Sequence, residues 1–115
     1  MAFNLRGVNQ TPITPLNADF SLDLPAFERL VDFHVRTMGT SITWPYHKAE
    51  SHALTMAERK QFAEAAVRVV AGLVPVNIHV SALAVEDSFE LARHAQKIGA
   101  DSIVAITPYF WNVSA

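Results

Sequence analysis

The sequence predicts an α/β fold of parallel strands joined by helices, and three observations carry that expectation. Short apolar runs alternate with longer stretches whose apolar residues recur every three or four positions. A glycine follows each helical stretch, at Gly39, Gly72 and Gly99. Two strands, Thr40 to Trp44 and Ser102 to Ile106, each follow such a glycine and each run into a Pro-Tyr pair, Pro45-Tyr46 and Pro108-Tyr109. The chain therefore repeats a strand-helix unit, and the order β-α-β-α-β-α-β implies right-handed crossovers between parallel strands. An open doubly wound sheet and part of a β/α barrel both satisfy that order.

The first strand is expected over roughly Gly7 to Ile13, bounded by Thr11-Pro12 and Thr14-Pro15, with a turn at Asn17-Ala18-Asp19. Asp23 is placed to cap helix one. Leu24, Phe27, Leu30, Val31, His34, Val35 and Met38 then form one stripe that ends at Gly39, read as a left-handed cap. His34 lies on that stripe and reads as a packed histidine. Strand two opens into the polar loop from Tyr46 to Leu54, and Thr55 with Glu58 forms a capping box for helix two, about Met56 to Ala71. Its inward face is Phe62, Ala66, Val69 and Val70, and Gly72 is the stop.

Strand three is expected over Val74 to Val80, its apolar run interrupted by Asn77. Helix three follows over about Val85 to Ile98, with Val85, Phe89, Ala92 and Ala95 assigned inward, and strand four over Ser102 to Ile106.

Composition narrows the function classes. The chain has 115 residues, half of them hydrophobic, enough for one domain with a real core. Nine Lys and Arg against eleven Asp and Glu give a formal charge of −2 and no basic field, so neither nucleic acid nor an anionic membrane is an expected partner. There is no cysteine, hence no disulfide framework or thiolate chemistry. With no signal peptide and no apolar run long enough to cross a bilayer, the expectation is a cytoplasmic protein. No glycine-rich phosphate loop follows strand one, so nucleotide and dinucleotide cofactors lose their support and no cofactor is expected.

Several segments in order carry a resemblance. They are Gly7-Val8 with Thr11-Pro12 and Thr14-Pro15, Asp23 to Val31, Glu50-Ser51-His52-Ala53-Leu54-Thr55 with Glu58-Arg59, Val74-Pro75-Val76, Glu90 to Ala95 with Gly99-Ala100-Asp101, and Thr107-Pro108-Tyr109. Together they resemble the dihydrodipicolinate synthase / N-acetylneuraminate lyase family. The resemblance implies the amino-terminal half of a (β/α)8 TIM barrel, with residues 1–115 a partial barrel of four strands and three helices. It also implies a class I aldolase-like lyase or synthase that forms a lysine imine with pyruvate or another small-molecule 2-oxo acid, and a homo-oligomer is expected.

The departures are as informative. The family's Gly-Thr-Thr-Gly-Glu loop stands opposite Tyr46-His47-Lys48-Ala49-Glu50, so only the glutamate is retained. The paired tyrosines after strand four become Tyr109-Phe110. A complete barrel has eight strands and about 250 residues, so a chain with four is expected to be a fragment, inactive alone, whose Schiff-base lysine belongs to strand six.

Residues after barrel strands meet at one face. His47 and Tyr109 are thus the candidates for proton transfer, Lys48 for attracting the substrate carboxylate, and His79 for binding substrate. Lys48 reads equally as a solvated loop lysine, and Glu50 as a residue that fixes the loop through backbone hydrogen bonds. No metal is expected, because the spacing of His47, Glu50, His52 and His79 matches no established motif. The alternatives are a non-catalytic domain or pseudoenzyme half-barrel, and a metal-dependent aldolase or hydrolase.

Overall fold

The computed structural model describes residues 4–37 and 39–107. Four strands, β1 (Asn9–Gln10), β2 (Ser41–Trp44), β3 (Val76–His79) and β4 (Ser102–Val104), alternate with α1 (Leu24–Thr37), α2 (Met56–Val70) and α3 (Val85–Ile98). All neighbouring strands are parallel and lie in chain order, β1-β2-β3-β4. Two 3-10 turns, His47–Ala49 and Ser51–Ala53, shape the loop after β2. Among the described residues no helix is long and apolar enough to cross a membrane.

Strand alternation separates two faces. Ile42, Trp44, Val76 and Ile78 point to the helices and are buried with Phe27, Val31, Phe62, Ala66 and Val70. At the centre Phe27 stacks on Phe62 with ring centroids 4.3 Å apart, while Trp44 meets them at 5.4 and 5.3 Å. Such pairs add about 0.5–1.5 kcal/mol each beyond their buried area. The opposite face carries Asn9, Ser41, Thr43, Asn77, His79 and Ser102, in register across the sheet.

The local signals act largely as expected. Asp23 Oδ1 accepts from the Ala26 N–H at 2.9 Å and caps α1. The Thr55 hydroxyl accepts from the Glu58 N–H while the Glu58 carboxylate accepts from the Thr55 N–H, both halves of the capping box.

Four expectations are corrected. The edge strands are shorter than expected, because each has a single neighbour and Pro12 removes a donor from the first. Gly39 does not adopt a left-handed φ; its backbone instead passes so near His34 that an added Cβ would lie 2.8 Å from that carbonyl oxygen. Ala71, at φ 48°, takes the left-handed cap of α2 one residue before Gly72. On α3 the buried residues are Leu91 and Ala95, whereas Val85 and Phe89 are 65% and 51% exposed. Ile103 of the edge strand β4 is exposed as well. Met38 lies outside the described residues.

Candidate active site at the strand ends

The carboxyl-terminal ends of β2 and β3 bring together Tyr46, His47, His52 and His79. The Tyr46 ring meets His47 at 4.8 Å and the edge of His79 at 5.3 Å, while His47 lies 6.2 Å from His79 and 6.3 Å from His52. The loop is placed by local geometry. After the cis Trp44-Pro45 peptide, Glu50 adopts φ 55°, its N–H donates to the His47 carbonyl and its own carbonyl accepts from Ala53. Glu50 thus fixes the loop through its backbone, and its side chain is exposed.

His79 is fully buried, and neither ring nitrogen has a hydrogen-bond partner among the described residues. Burial, then the charges of Arg59, His47 and His52, lower its pKa to about 4; the Pro45 carbonyl opposes this weakly and lies outside hydrogen-bond geometry. At neutral pH the ring is therefore uncharged. Arg59, buried on α2, donates from Nη2 to the His79 carbonyl at 2.6 Å and from Nη1 to the Ser81 carbonyl at 2.9 Å, locking the end of β3.

Of the four sequence-assigned residues, the structure joins His47 and His79. Lys48 is exposed on the same 3-10 turn, and its charge acts on His34 of α1 rather than on His79. Tyr109 lies outside the described residues. Among the described residues no three of His, Asp and Glu converge closely enough to hold a metal ion.

Beneath the cluster lies a layer of hydrogen bonds that links all four strands. Ser102 Oγ donates to Asn77 Oδ1 at 2.7 Å, and Asn77 Nδ2 donates to Thr43 Oγ1 at 3.1 Å. Asn9 Nδ2 donates to the same Thr43 oxygen at 2.8 Å, and Asn9 Oδ1 accepts from the Thr43 and Ser41 hydroxyls at 3.0 and 2.9 Å. Reading Asn77 as an interruption of an apolar strand missed this layer. The available signal was polar residues at every second position, Ser41 with Thr43 and Asn77 with His79 and Ser81. Arg59 was missed as a site residue because arginine is so seldom buried.

The helix-backed sheet with its polar strand ends can now be set beside known proteins. The model of the dihydrodipicolinate synthetase family matches residues 4–115. The 4-hydroxy-tetrahydrodipicolinate synthase of Gluconacetobacter diazotrophicus is 36% identical over 98 residues, covering 85% of this chain and 33% of that protein. The N-acetylneuraminate lyase of Mus musculus is 39% identical, covering 96% of this chain and 36% of its own length. The crystal structure of a prophage protein of the dihydrodipicolinic acid synthase family from Escherichia coli K12, in complex with pyruvate, superimposes with a TM-score of 0.87. It is 34% identical over 96% of this chain and 38% of its own. The chain spans about a third of the length of the curated relatives it matches. Matched across nearly all of its residues in sequence and in structure, the chain belongs to the dihydrodipicolinate synthetase family.

Proposed function

We propose that this chain is the amino-terminal, substrate-orienting part of a Schiff-base lyase or synthase acting on pyruvate or another 2-oxo acid. The observation that carries the reading is the convergence of Tyr46, His47 and His79 at the carboxyl ends of β2 and β3 in a chain of this family. Barrel enzymes hold their ligands at that end.

In this reading the lysine that condenses with the 2-oxo group is supplied by a later strand, and its imine draws electrons from the adjacent carbon. His47 and Tyr109 move the proton that this releases. Lys48 attracts the carboxylate from solvent, while the neutral ring of His79, buried against Tyr46, backs the binding position without adding charge. Lys48 is a poor candidate for the imine itself, because activating a lysine requires burial or an adjacent cation and it is exposed. Lys60 is committed to an ion pair with Glu90 on α3. Without the later strands the chain binds the acid and does not turn it over.

A pyruvate titration followed by backbone and imidazole NMR tests this. The expected result is shifts concentrated at Tyr46, His47, Lys48 and His79, weakened by Lys48→Met and His47→Gln. Shifts confined to the outer surfaces of α2 and α3 would overturn the assignment.

A further inference from the structure

The helix-free face of the sheet holds a cavity of about 210 Å³ lined by Asn9, Thr11, Thr43, Tyr46 and Val104. Four of its five lining residues bear a hydroxyl or an amide, none is a carboxylate, lysine, arginine or histidine, and Tyr46 joins it to the imidazoles.

The hydrogen-bond layer under the cavity determines what it offers. Thr43 Oγ1 is saturated, since it accepts from Asn9 and Asn77 and donates to Asn9. The Asn9 carbonyl oxygen accepts from two hydroxyls, which fixes the amide orientation and leaves one of its two N–H groups for the cavity. The Thr11 hydroxyl and the Tyr46 phenol make no hydrogen bond among the described residues. The cavity thus presents one oriented amide donor and two hydroxyls that can each give or accept, in an uncharged setting. That chemistry matches hydroxyl groups and leaves a methyl group unrewarded.

We infer that Asn9, Thr11 and Tyr46 form a subsite for the hydroxyl of a hydroxylated 2-oxo acid whose carboxylate lies at the His47 turn. The inference rests on the 2-oxo acid reading for the acid end of the ligand, while the hydroxyl subsite stands on the cavity alone. A site that bonds a hydroxyl discriminates against the analogue lacking it, because its own donors are then left unpaired. One such bond corresponds to a preference of about tenfold.

The matched pair pyruvate and 3-hydroxypyruvate differs by that one hydroxyl, and titrating both into the full chain by NMR gives the ratio of their affinities. The expected result is tighter binding of hydroxypyruvate by about tenfold, falling to about one in Thr11→Val and in Tyr46→Phe. A ratio near one in the parent chain, or a ratio that neither substitution changes, overturns the subsite. Glycerol, a neutral triol, separates this inference from the reading beneath it. If neither acid binds but glycerol shifts the Asn9 side-chain amide and Thr11, the subsite stands and the 2-oxo acid reading fails. If glycerol leaves those signals unmoved as well, the subsite is overturned.

Discussion

Arg59 donates to the carbonyl oxygen of His79 at 2.6 Å while its charge discourages protonation of the ring of that same residue. A single buried guanidinium therefore both anchors the end of β3 and keeps the imidazole beside the candidate site neutral. The position is set by α2, whose capped start places Arg59 one turn in from Thr55.

Replacing Arg59 by methionine keeps most of the volume and removes both carbonyl hydrogen bonds. The expected loss is about 2–4 kcal/mol in urea unfolding. In the same variant the His79 pKa rises toward the ordinary imidazole value, read from its ring proton shifts. A loss under about 0.5 kcal/mol would mean that the two carbonyls find other donors.

Stability should fall in mild acid because of His79. Its folded pKa of about 4 lies below the unfolded value of about 6.5. Above pH 6.5 both states are neutral and the group contributes nothing to the pH dependence. Between pH 6.5 and 4 the unfolded chain takes up a proton that the folded chain refuses, so stability drops as pH falls, by on the order of 3 kcal/mol at most. Unfolding curves at pH 7, 5.5 and 4.5 check this, and His79→Leu should flatten the dependence across that window. An equally steep dependence in His79→Leu would assign it to other groups.

The sequence made the framework legible wherever a signal was local. The Thr55 and Glu58 capping box and the span of α3 followed from neighbouring residues alone, because caps and apolar spacing act within one helix. What escaped depends on contacts between distant segments. Val85 and Phe89 have the spacing of an inward face but lie beside an edge strand that leaves them exposed. Gly39 looked like a helix cap, and is instead needed for its close approach to His34. At the candidate site His47 and His79 were readable as strand-end residues, and the polar alternation of Ser41 with Thr43 and Asn77 with His79 was a signal for the buried layer, whereas its partners across the sheet and the anchoring role of Arg59 emerge only when the strands are set in register.

Asn77 is the link between β2 and β4 in that layer. Asn77→Leu leaves the buried Thr43 hydroxyl short of one donor and the Ser102 hydroxyl without its acceptor. The expected cost is about 2–4 kcal/mol, by thermal or urea unfolding. A near-neutral result would show that the leucine packs well enough to replace the network.

Two glycine substitutions separate crowding from backbone strain. At Gly39 an added Cβ meets the His34 carbonyl oxygen at 2.8 Å and Gln10 Cγ at 3.1 Å, so Gly39→Ala should cost about 1–3 kcal/mol. At Gly99 the space is open and only φ +84° is unfavourable, so Gly99→Ala should cost about 1 kcal/mol. The reverse order in chemical denaturation would contradict the close packing of α1 against the start of β2.

Trapping with pyruvate and sodium borohydride, followed by intact mass and a lysine-mapped digest, tests the central claim most directly. It is run on the folded 115-residue chain and on the chain joined to strands five to eight of a family relative. The account predicts no adduct on the chain alone and a reduced pyruvyl adduct on a lysine of the added strands in the joined protein. An adduct on Lys48, or on any lysine of these 115 residues, would contradict it, as would a folded joined protein that traps no pyruvate.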